Sequence, residues 1–501
     1  KPLYYSRVGK WILFASELKA LQQHPAWEGN IDRAALAAYL RYCYVPTPHC
    51  IYKNTRKLVP GSVVSISGEG AIGEPQPYWS LSKVVQQGST DPLLVSDDEA
   101  VESLQTLLRD VVAEKMVADV PLGAFLSGGI DSSTVVALMQ EQQHQSVNTF
   151  SIGFDEADYD EAIYAKKVAQ HLGTHHTELY VTPHEAREVI PDLPRYYDEP
   201  FADPSQIPTF LVSQLASRHV TVSLSGDAGD ELFGGYNRYV FGRSLWRKLR
   251  WCPHPLQLMA ARAMTMVSPH RWNDVSKLLS TLSYSRIRMT RLGGRVHKLA
   301  QILPAQSPEI LYQWLVSHWK HPQSVVLGSV EANTLLTQST GWSKGDDFTE
   351  RMMFLDMLTY LPDDILVKVD RASMAVSLEA RVPLLDHRLI EFAWRLPLHL
   401  KIRNGESKWL LRRVLERYVP GHLIDRPKMG FSIPLDSWLR GPLRDWCESL
   451  LDENRLKSEG YFEPAPIRQK WHEHLSGKSN WEFHLWNVLM FQSWLETGAH
   501  R

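Results

Sequence analysis

The chain has 501 residues, of which 44% are hydrophobic and 22% are charged, which is the composition of an ordinary globular protein with two or more domains. A formal net charge of -2 gives no overall basic field and argues against a nucleic-acid-binding protein. No apolar run reaches the roughly 18 residues that cross a bilayer, so we expect a cytoplasmic protein without a signal peptide or a membrane partner. The four cysteines lack CxxC or Cys/His spacing, which favours buried or idle thiols in a reducing compartment over a structural zinc site.

The first part of the chain is rich in short strand-like segments. WILFASE and SVVSISG combine β-branched and aromatic residues between glycine and proline turns, and a short helix is predicted at Ile31–Tyr42. The polar stretch Gln87–Leu94 contains glycine and proline, which is typical of a linker. We therefore predict one domain at residues 1–86 and a second at residues 87–501.

A long amphipathic helix is predicted after this linker. Ser96 and Glu99 match the S-x-x-E pattern of a capping box at its start. Apolar residues then recur at helical spacing, at Val101, Leu104, Leu107, Leu108, Val111, Val112 and Met116. We expect this helix to pack against the core and to carry no chemistry.

From Val120 to Leu224 the sequence alternates between short apolar strands and helices. Such alternation predicts right-handed crossovers and a parallel sheet. After about Tyr236 no strand pattern is evident, and the remainder is predicted to be helical. The expected fold is an α/β core at about residues 95–240 with a helical C-terminal part, preceded by a β-rich domain.

The motif FLSGGIDSS, at Phe125–Ser133, lies where a predicted strand ends and a predicted helix begins. Glycines let the backbone approach an anion closely, and a helix N-terminus offers unpaired N–H groups. Asp131 would repel a phosphate unless a cation lies between them, so it indicates Mg2+. The motif alone also fits a tight turn in which Asp131 caps the helix. It lacks the GKS/T ending of a Walker loop.

This motif resembles the SGGxDS pyrophosphate loop of the PP-loop ATP-pyrophosphatase superfamily, whose members adenylate a substrate and release pyrophosphate. A second segment, Ser225–Tyr236, reads SGDAGDELFGGY and is similar to a signature of glutamine-dependent asparagine synthetases. Leu361–Asp386 resembles the long helix and turn of that family, and Arg426–Pro434 (RPKMGFSIP) resembles its lysine-bearing loop. The resemblance implies a PP-loop synthetase fold that uses ATP and Mg2+.

The resemblance also implies a set of site residues. Asp131 and Asp230 would share Mg2+, and Asp227 would lie near the reacting acyl group. Lys428 would neutralise the negative charge that develops on the α-phosphate and on pyrophosphate. The residues expected to contact ATP or pyrophosphate are Leu126, Ser127, Gly128, Gly129, Asp131, Ser132, Ser133, Ile152, Ser225 and Gly226.

The N-terminal segments KPLYYSR, FASELKAL and VPGSVVSI resemble the last part of the glutaminase domain of class II amidotransferases. In that family an N-terminal cysteine is the nucleophile, and it lies upstream of a segment like KPLYY together with the glutamine-binding residues. We therefore expect residues 1–86 to be a truncated glutaminase domain, through loss or because the sequence is a fragment. Residues 1–501 are then expected not to hydrolyse glutamine, and ammonia would serve as nitrogen donor.

Several functions fit this resemblance. The leading hypothesis is an asparagine synthetase that converts aspartate, ATP and ammonia or glutamine into asparagine, AMP and pyrophosphate. The second hypothesis is a related amidotransferase that acts on another carboxylate, such as a sugar acid in polysaccharide synthesis, because these motifs hold ATP and do not identify the acid. The third hypothesis is a non-catalytic nucleotide-binding relic. A tRNA-modifying enzyme is disfavoured by the near-neutral charge. The family implies small-molecule substrates and is compatible with a homodimer.

Overall fold

The structure, a computed structural model, describes residues 1–154, 160–269, 271–272, 292–338, 347–425 and 433–498. Lys428 and the rest of the predicted RPKMGFS segment lie outside the described residues.

The N-terminal region contains a small antiparallel sheet with the strand order β2-β1-β3. A tight turn joins its first two strands at Gly9, whose φ of 59° lies in the left-handed region that favours glycine. The strands of the region are β1 (Tyr4–Val8), β2 (Trp11–Ala15), β3 (Thr55–Lys57), β4 (Ser62–Val63) and β5 (Gln76–Pro77). The predicted strand-rich character of this region is confirmed.

Two helices, α1 (Leu18–Leu21) and α2 (Arg33–Tyr42), accompany this sheet. Helix α2 begins at Asp32, whose side chain accepts hydrogen bonds from two backbone N–H groups of the first turn. It ends at Cys43, where a φ of 73° stops the helix. The helix predicted at Ile31–Tyr42 is therefore confirmed.

Helix α3 (Leu81–Thr90) occupies the start of the predicted linker. Gly88 is buried, and a Cβ atom there would lie 2.3 Å from the backbone oxygen of Trp394. The prediction of a linker across Gln87–Leu94 was wrong for its first four residues, because this glycine permits close helix packing and does not form a turn.

Helix α4 (Asp97–Met116) confirms the predicted amphipathic helix. The N–H of Glu99 donates to Ser96 Oγ at 3.3 Å, and the N–H of Ser96 donates to the Glu99 carboxylate at 2.8 Å. These two bonds form the predicted capping box. The apolar stripe of the helix packs into the main hydrophobic core.

A five-stranded sheet with the order β10-β9-β6-β7-β8 lies at the centre of the molecule, and all its pairs are parallel. Four of its strands were predicted, namely β6 (Leu122–Phe125), β7 (Asn148–Phe154), β8 (His175–Val181) and β9 (Val222–Leu224). The chain runs from β6 to β7 and β8 on one side and then returns to β9 on the other. This reversal of strand order creates a crevice at the carboxyl ends of β6 and β9, where ligands bind in open α/β sheets.

The fifth strand, β10 (Glu379–Arg381), comes from a segment for which only a helix and turn were predicted. It pairs with β9, with Arg381 opposite Leu224. A short hairpin follows, made of β11 (Ile402–Arg403) and β12 (Glu406–Ser407). The prediction that strands end after about Tyr236 was wrong, because these strands are short and polar and carry no apolar alternation.

The remaining helices pack on the sheet and form the C-terminal part of the molecule. Those before β9 are α5 (Ile130–Glu141), α6 (Ala162–Leu172), α7 (Pro183–Glu188), α8 (Leu193–Tyr196) and α9 (Gln206–Ser217). Those after β9 are α10 (Gly229–Phe233), α11 (Asn237–Leu249), α12 (His254–Met266), α13 (Leu292–Ile302), α14 (Pro308–Leu315), α15 (Phe348–Leu358), α16 (Leu366–Met374), α17 (His387–Arg395), α18 (Leu398–Lys401), α19 (Trp409–Leu415), α20 (Gly421–Ile424), α21 (Leu435–Arg440), α22 (Arg444–Leu450), α23 (Glu453–Glu459), α24 (Pro464–Leu475) and α25 (Glu482–Glu496). A π-helical turn at Leu361–Ile365 precedes α16.

The N-terminal region shares one hydrophobic core with the C-terminal helices. The Tyr39 hydroxyl of α2 donates to the backbone oxygen of Asn487 in α25 at 2.7 Å, and the Asn487 side chain donates back to the oxygen of Leu40 at 2.9 Å. Within the described ranges, no helix has both the length and the apolar character that crossing a membrane requires.

Candidate active site

The first of two loops in the crevice joins β6 to α5. Gly128 has a φ of 71°, and a Cβ atom there would lie 2.8 Å from the backbone of Tyr164. Both the conformation and the lack of space require glycine. Gly129 is the N-cap of α5, so the N–H groups at the start of this helix face the crevice, where they suit an anion.

Hydroxyl groups fix the shape of this first loop. The N–H of Ser127 donates to Ser132 Oγ at 3.2 Å, and the N–H of Gly129 donates to Ser127 Oγ at 3.2 Å. The two hydroxyl oxygens lie 3.0 Å apart. The loop is therefore held in place by its own side chains before any ligand binds.

Three of the residues expected to contact nucleotide lie below the surface of the loop. Leu126 is 1% exposed, Ser133 is 0% exposed and Ile152 is 2% exposed. Here they support the loop and strand β7 from the core side, and their contact with a nucleotide stays a prediction.

The second loop follows β9 and runs from Ser225 to Gly235. The Ser225 hydroxyl donates to the Asp227 carboxylate, and the N–H of Asp227 donates to Ser225 Oγ at 3.1 Å. Burial raises the pKa of Asp227, although the bond from Ser225 partly offsets this effect. Ala228 then adopts a left-handed conformation with a φ of 73° at the start of α10.

Two glycines let the loops pack directly against each other. A Cβ atom on Gly226 would lie 2.6 Å from the backbone nitrogen of Ser132, and one on Gly229 would lie 2.3 Å from Oδ1 of Asp131. Either contact is shorter than real Cβ atoms tolerate, so the approach requires glycine at both positions. The structure thus brings together the two motifs that the sequence places about 100 residues apart.

A lysine that the sequence did not indicate lies between the two loops. Nζ of Lys408 contacts Oδ2 of Asp131 and lies 2.6 Å from Oδ1 of Asp230. We call these three residues the loop cluster. Lys408 is 5% exposed and adopts a left-handed conformation just before α19. Burial alone would lower its pKa, but the two carboxylates raise it well above the ordinary value, so the ammonium group is charged.

Glycine also makes room for the loop cluster. A Cβ atom on Gly235 would lie 1.9 Å from Oδ1 of Asp230 and 2.1 Å from Cε of Lys408. Gly235, the second glycine of the FGGY ending, is therefore needed for the ion pairs themselves.

The loop cluster fits the predicted Mg2+ only as a partial ligand set. Among the described residues, no group of three or more His, Cys, Asp or Glu side chains is arranged to hold a metal. Mg2+ in nucleotide sites usually takes one or two carboxylates and completes its shell with water and phosphate oxygens. Asp131 and Asp230, which converge on one Nζ atom, supply that number of carboxylates.

A buried carboxyl group adjoins the loop cluster. Glu231 is 1% exposed, and its Oε1 accepts a hydrogen bond of 2.7 Å from the Tyr236 hydroxyl. Burial and the neighbouring Asp230 carboxylate raise its pKa to about 8. Glu231 is therefore mostly protonated at neutral pH.

The sequence signals differ for the residues that were missed. Asn404–Gly405 is a dipeptide typical of hairpin turns, and it could have placed the β11–β12 hairpin just before Lys408. Nothing in the sequence marks Lys408 itself as a site residue. Glu231 lies inside the recognised motif but is distinguished from its neighbours only by its burial.

Comparison with known proteins agrees with this geometry. Residues 103–496 match the family model for asparagine synthase, and residues 1–79 match the model for a glutamine amidotransferase domain. The Bacillus subtilis (strain 168) protein named asparagine synthetase [glutamine-hydrolyzing] 1 is 32% identical over 497 residues, which cover 99% of this chain and 73% of that protein. A putative asparagine synthetase [glutamine-hydrolyzing] of Mycobacterium tuberculosis (strain ATCC 25618 / H37Rv) is 34% identical over 509 residues, with 99% and 72% covered.

A more distant relative carries a different name. Amidase chyE of Penicillium rubens (strain ATCC 28089 / DSM 1075 / NRRL 1951 / Wisconsin 54-1255) is 23% identical over 501 residues, which cover 92% of this chain and 70% of that protein. The matched family model spans most of the chain, including both loops and Lys408. The chain therefore belongs to the asparagine synthase family and is an ATP-dependent carbon–nitrogen ligase.

Proposed function

We propose that the chain adenylates the β-carboxylate of aspartate with ATP and then transfers ammonia to it, giving asparagine, AMP and pyrophosphate. The observation that carries this proposal is the convergence of both loops and Lys408 at the carboxyl ends of β6 and β9. The names of the two bacterial relatives support aspartate as the acid.

The first loop would hold the pyrophosphate part of ATP. Its helix N-terminus and the hydroxyls of Ser127 and Ser132 are donors that suit phosphate oxygens. Ser225 and Gly226, on the second loop, would position the adenosine. Mg2+ held by Asp131 and Asp230 would neutralise negative charge on the phosphate oxygens.

Lys408 would stabilise the charge that develops when pyrophosphate leaves. Its ammonium group is already fixed by two carboxylates, so little reorganisation is needed as charge develops. Lys428 is proposed for the same task.

Asp227 would act in the second half of the reaction. Attack by ammonia forms a C–N bond and breaks the C–O bond to AMP, and the new amide nitrogen must lose a proton. A carboxylate whose pKa is raised by burial is a better proton acceptor than an exposed one. The Ser225 hydroxyl would orient this carboxylate.

The test is exchange of labelled pyrophosphate into ATP, measured with one candidate acid at a time. We expect aspartate to stimulate the exchange more than any other acid. Exchange that responds to a uronate and not to aspartate would overturn aspartate as the acid. If none of the tested acids stimulates exchange, catalysis itself is overturned. Calorimetric titration with ATP would then test whether the chain is a non-catalytic nucleotide-binding relic.

A matched pair of variants tests the role of the first loop. Asp131→Asn removes a proposed Mg2+ ligand and a partner of Lys408, and we expect acid-dependent exchange to fall by about 1000-fold. Asp110→Asn removes an exposed carboxylate in the middle of α4 and should leave exchange unchanged. Wild-type exchange in Asp131→Asn would exclude this role for Asp131.

We also propose that ammonia is the nitrogen nucleophile that attacks the activated acid. Amide formation should therefore respond to added ammonium chloride. Absence of the amide at high ammonium chloride, while acid-dependent exchange continues, would contradict this part of the proposal.

A second candidate function is amidation of an acid other than aspartate. The relative named as an amidase supports it, because it matches nearly the whole chain under a different name. The acid screen described above separates the two candidates.

A further inference from the structure

A cavity of about 210 Å3 lies on the core side of the second loop, between the N-terminal region and the C-terminal helices. Residues from the end of α2, from α14 and from the π-helical turn form its walls. Its volume equals about seven water molecules at roughly 30 Å3 each. The cavity is therefore much larger than one ammonia molecule requires.

The walls of this cavity carry more negative than positive groups. Three carboxylates line it, from Asp203, Asp356 and Asp364, against one guanidinium group, that of Arg238. Arg238 donates through Nε and Nη2 to Oδ2 of Asp356, at 3.0 Å and 2.8 Å, so these two charges are already paired. Two carboxylates remain.

One buried lysine serves both remaining carboxylates. Nζ of Lys368 lies 2.6 Å from Oδ2 of Asp203 but 3.9 Å from Oδ1 of Asp364. We call these three residues the helix cluster. Asp364 is only 4% exposed, so water reaches it poorly, and its Oδ1 atom accepts no hydrogen bond. The Asp203 and Asp364 side chains also share a hydrogen bond, so Asp364 holds a proton in the place that a second cation would otherwise take.

The pKa shifts of the two carboxyl groups agree with this arrangement. Burial would raise the pKa of Asp203, but the contact with Lys368 lowers it to about 2. Burial and the nearby Asp203 carboxylate raise the pKa of Asp364 well above its ordinary value. A cation next to Asp364 would stabilise its ionised form.

Aromatic rings form much of the rest of the wall. Tyr44, Tyr312 and Tyr360 line the cavity, and the Arg238 guanidinium lies 4.8 Å from the centre of the Tyr360 ring. The faces of such rings attract cations, most strongly where water is excluded. A buried carboxylate beside aromatic rings suits an organic ammonium group.

The cavity adjoins the proposed reaction centre. Lys368 of the helix cluster is close enough to Asp227 to affect its pKa. The Tyr236 ring packs edge-on against Tyr360, and the Tyr236 hydroxyl bonds to Glu231 of the second loop. A ligand in the cavity would therefore lie directly behind the second loop.

We propose that this cavity binds the primary ammonium group of an organic ligand at Asp364. The ligand has two sources: a separate amine that replaces ammonia as nitrogen donor, or the amino group of the amino acid being activated. In the first case the deprotonated nitrogen attacks the acyl-adenylate, a C–N bond forms and the C–O bond to AMP breaks. The ammonium group gives one proton to the Asp364 carboxylate before the attack, and the new amide nitrogen gives a second proton to Asp227; both protons then pass to water. This step rests on the proposed function, whereas binding of the amine does not.

The first experiment is calorimetric titration of the chain, without ATP, with 1,4-diaminobutane. Butane-1,4-diol and succinate serve as uncharged and anionic probes of similar length. Of these three probes, we expect only the diamine to give a heat of binding. Equal binding of the diol or of succinate would overturn the proposal, because the site would then not select an ammonium group.

Two variants locate the bound amine. Leu315→Trp fills the cavity from α14 and should weaken diamine binding at least tenfold, while Leu94→Trp, at an 84% exposed position, should not. Asp364→Asn removes the proposed carboxylate partner without adding volume and should weaken binding as well. As a control, a cooperative thermal unfolding transition would show that each variant is folded. Unchanged diamine affinity in a folded Leu315→Trp or Asp364→Asn variant would overturn the site.

The source of the amine is identified from the products that the chain forms when it is incubated with ATP, aspartate and the diamine. Mass spectrometry that finds the diamine joined to aspartate through an amide identifies a separate nitrogen donor. Competition between diamine and aspartate in pyrophosphate exchange, without incorporation, identifies the amino group of the acid. If no acid supports exchange, the proposed function fails while the calorimetric result still decides the binding site.

Discussion

The loop cluster and the helix cluster have the same composition: each sets one buried lysine against two aspartates. In the loop cluster Lys408 contacts both carboxylates directly, with Asp230 at 2.6 Å. In the helix cluster Lys368 contacts Asp203 at 2.6 Å but reaches Asp364 only at 3.9 Å. In the loop cluster the lysine forms close ion pairs with both aspartates, whereas in the helix cluster it forms a close ion pair only with Asp203.

Their surroundings differ more than their charges do. The loop cluster lies among glycines whose missing side chains leave backbone N–H groups close to the crevice. The helix cluster lies among tyrosine rings and helices beside a cavity. The same three residue types therefore suit phosphate in one place and an ammonium group in the other, because the neighbouring backbone and rings decide which ligand can approach.

The largest effect is expected in the helix cluster. Lys368→Met leaves the buried Asp203 carboxylate without its cation, and we expect the free energy of unfolding to fall by about 3 kcal/mol. Urea unfolding followed by circular dichroism measures this change. Lys457→Met, which removes an exposed lysine paired within one helix, should cost less than about 0.5 kcal/mol.

A double variant tests whether the charge imbalance causes the loss. Adding Asp203→Asn to Lys368→Met removes the uncompensated charge and should restore part of the stability. If the double variant is as unstable as the sum of both single variants, Lys368 stabilises the fold by packing and the comparison between the clusters fails.

The loop cluster should lose activity more than stability. Lys408→Met removes the fixed cation, and we expect acid-dependent pyrophosphate exchange to fall by about 100-fold. Without the competing ammonium group, Asp131 and Asp230 should bind Mn2+ at least tenfold more tightly in the absence of nucleotide, as measured by electron paramagnetic resonance. Unchanged Mn2+ affinity would show that Lys408 and the metal do not share these carboxylates.

The two clusters also mark how far sequence reasoning reaches. The loops were predictable because glycine, serine and aspartate at the ends of apolar strands have few structural uses other than tight turns and anion sites. The family resemblance implies that Asp131 and Asp230 act together, and in the structure both lie where the carboxyl ends of two neighbouring parallel strands meet.

What escaped prediction came from tertiary contacts. Strand β10 has only three residues, and nothing but its pairing with β9 makes it a strand. Gly88 appeared to belong to a linker because its role, contact with the backbone of Trp394, involves a residue about 300 positions away. The lysines of both clusters look like ordinary charged residues until the fold buries them.

Glu231 extends the comparison, because it is a buried carboxyl group next to the loop cluster whose bonded partner is a tyrosine and not a lysine. Its pKa is about 8 in the folded protein, against an ordinary value of 4.5. Between these values the unfolded chain loses this proton while the folded protein keeps it. The contribution of Glu231 to stability is therefore present below about pH 4.5 and is lost as the pH rises towards about 8.

We expect the free energy of unfolding to fall across this window by at most about 1.4 kcal/mol per pH unit from this group. Urea unfolding at several pH values between those limits measures the slope, which should be smaller in Glu231→Gln. Glu69→Gln, an exposed control, should keep the wild-type slope. An identical slope in Glu231→Gln would mean that Glu231 is ionised in the folded protein. The nearby Lys408 would then be neutralising three carboxylates, and the loop cluster would be the one that lacks positive charge.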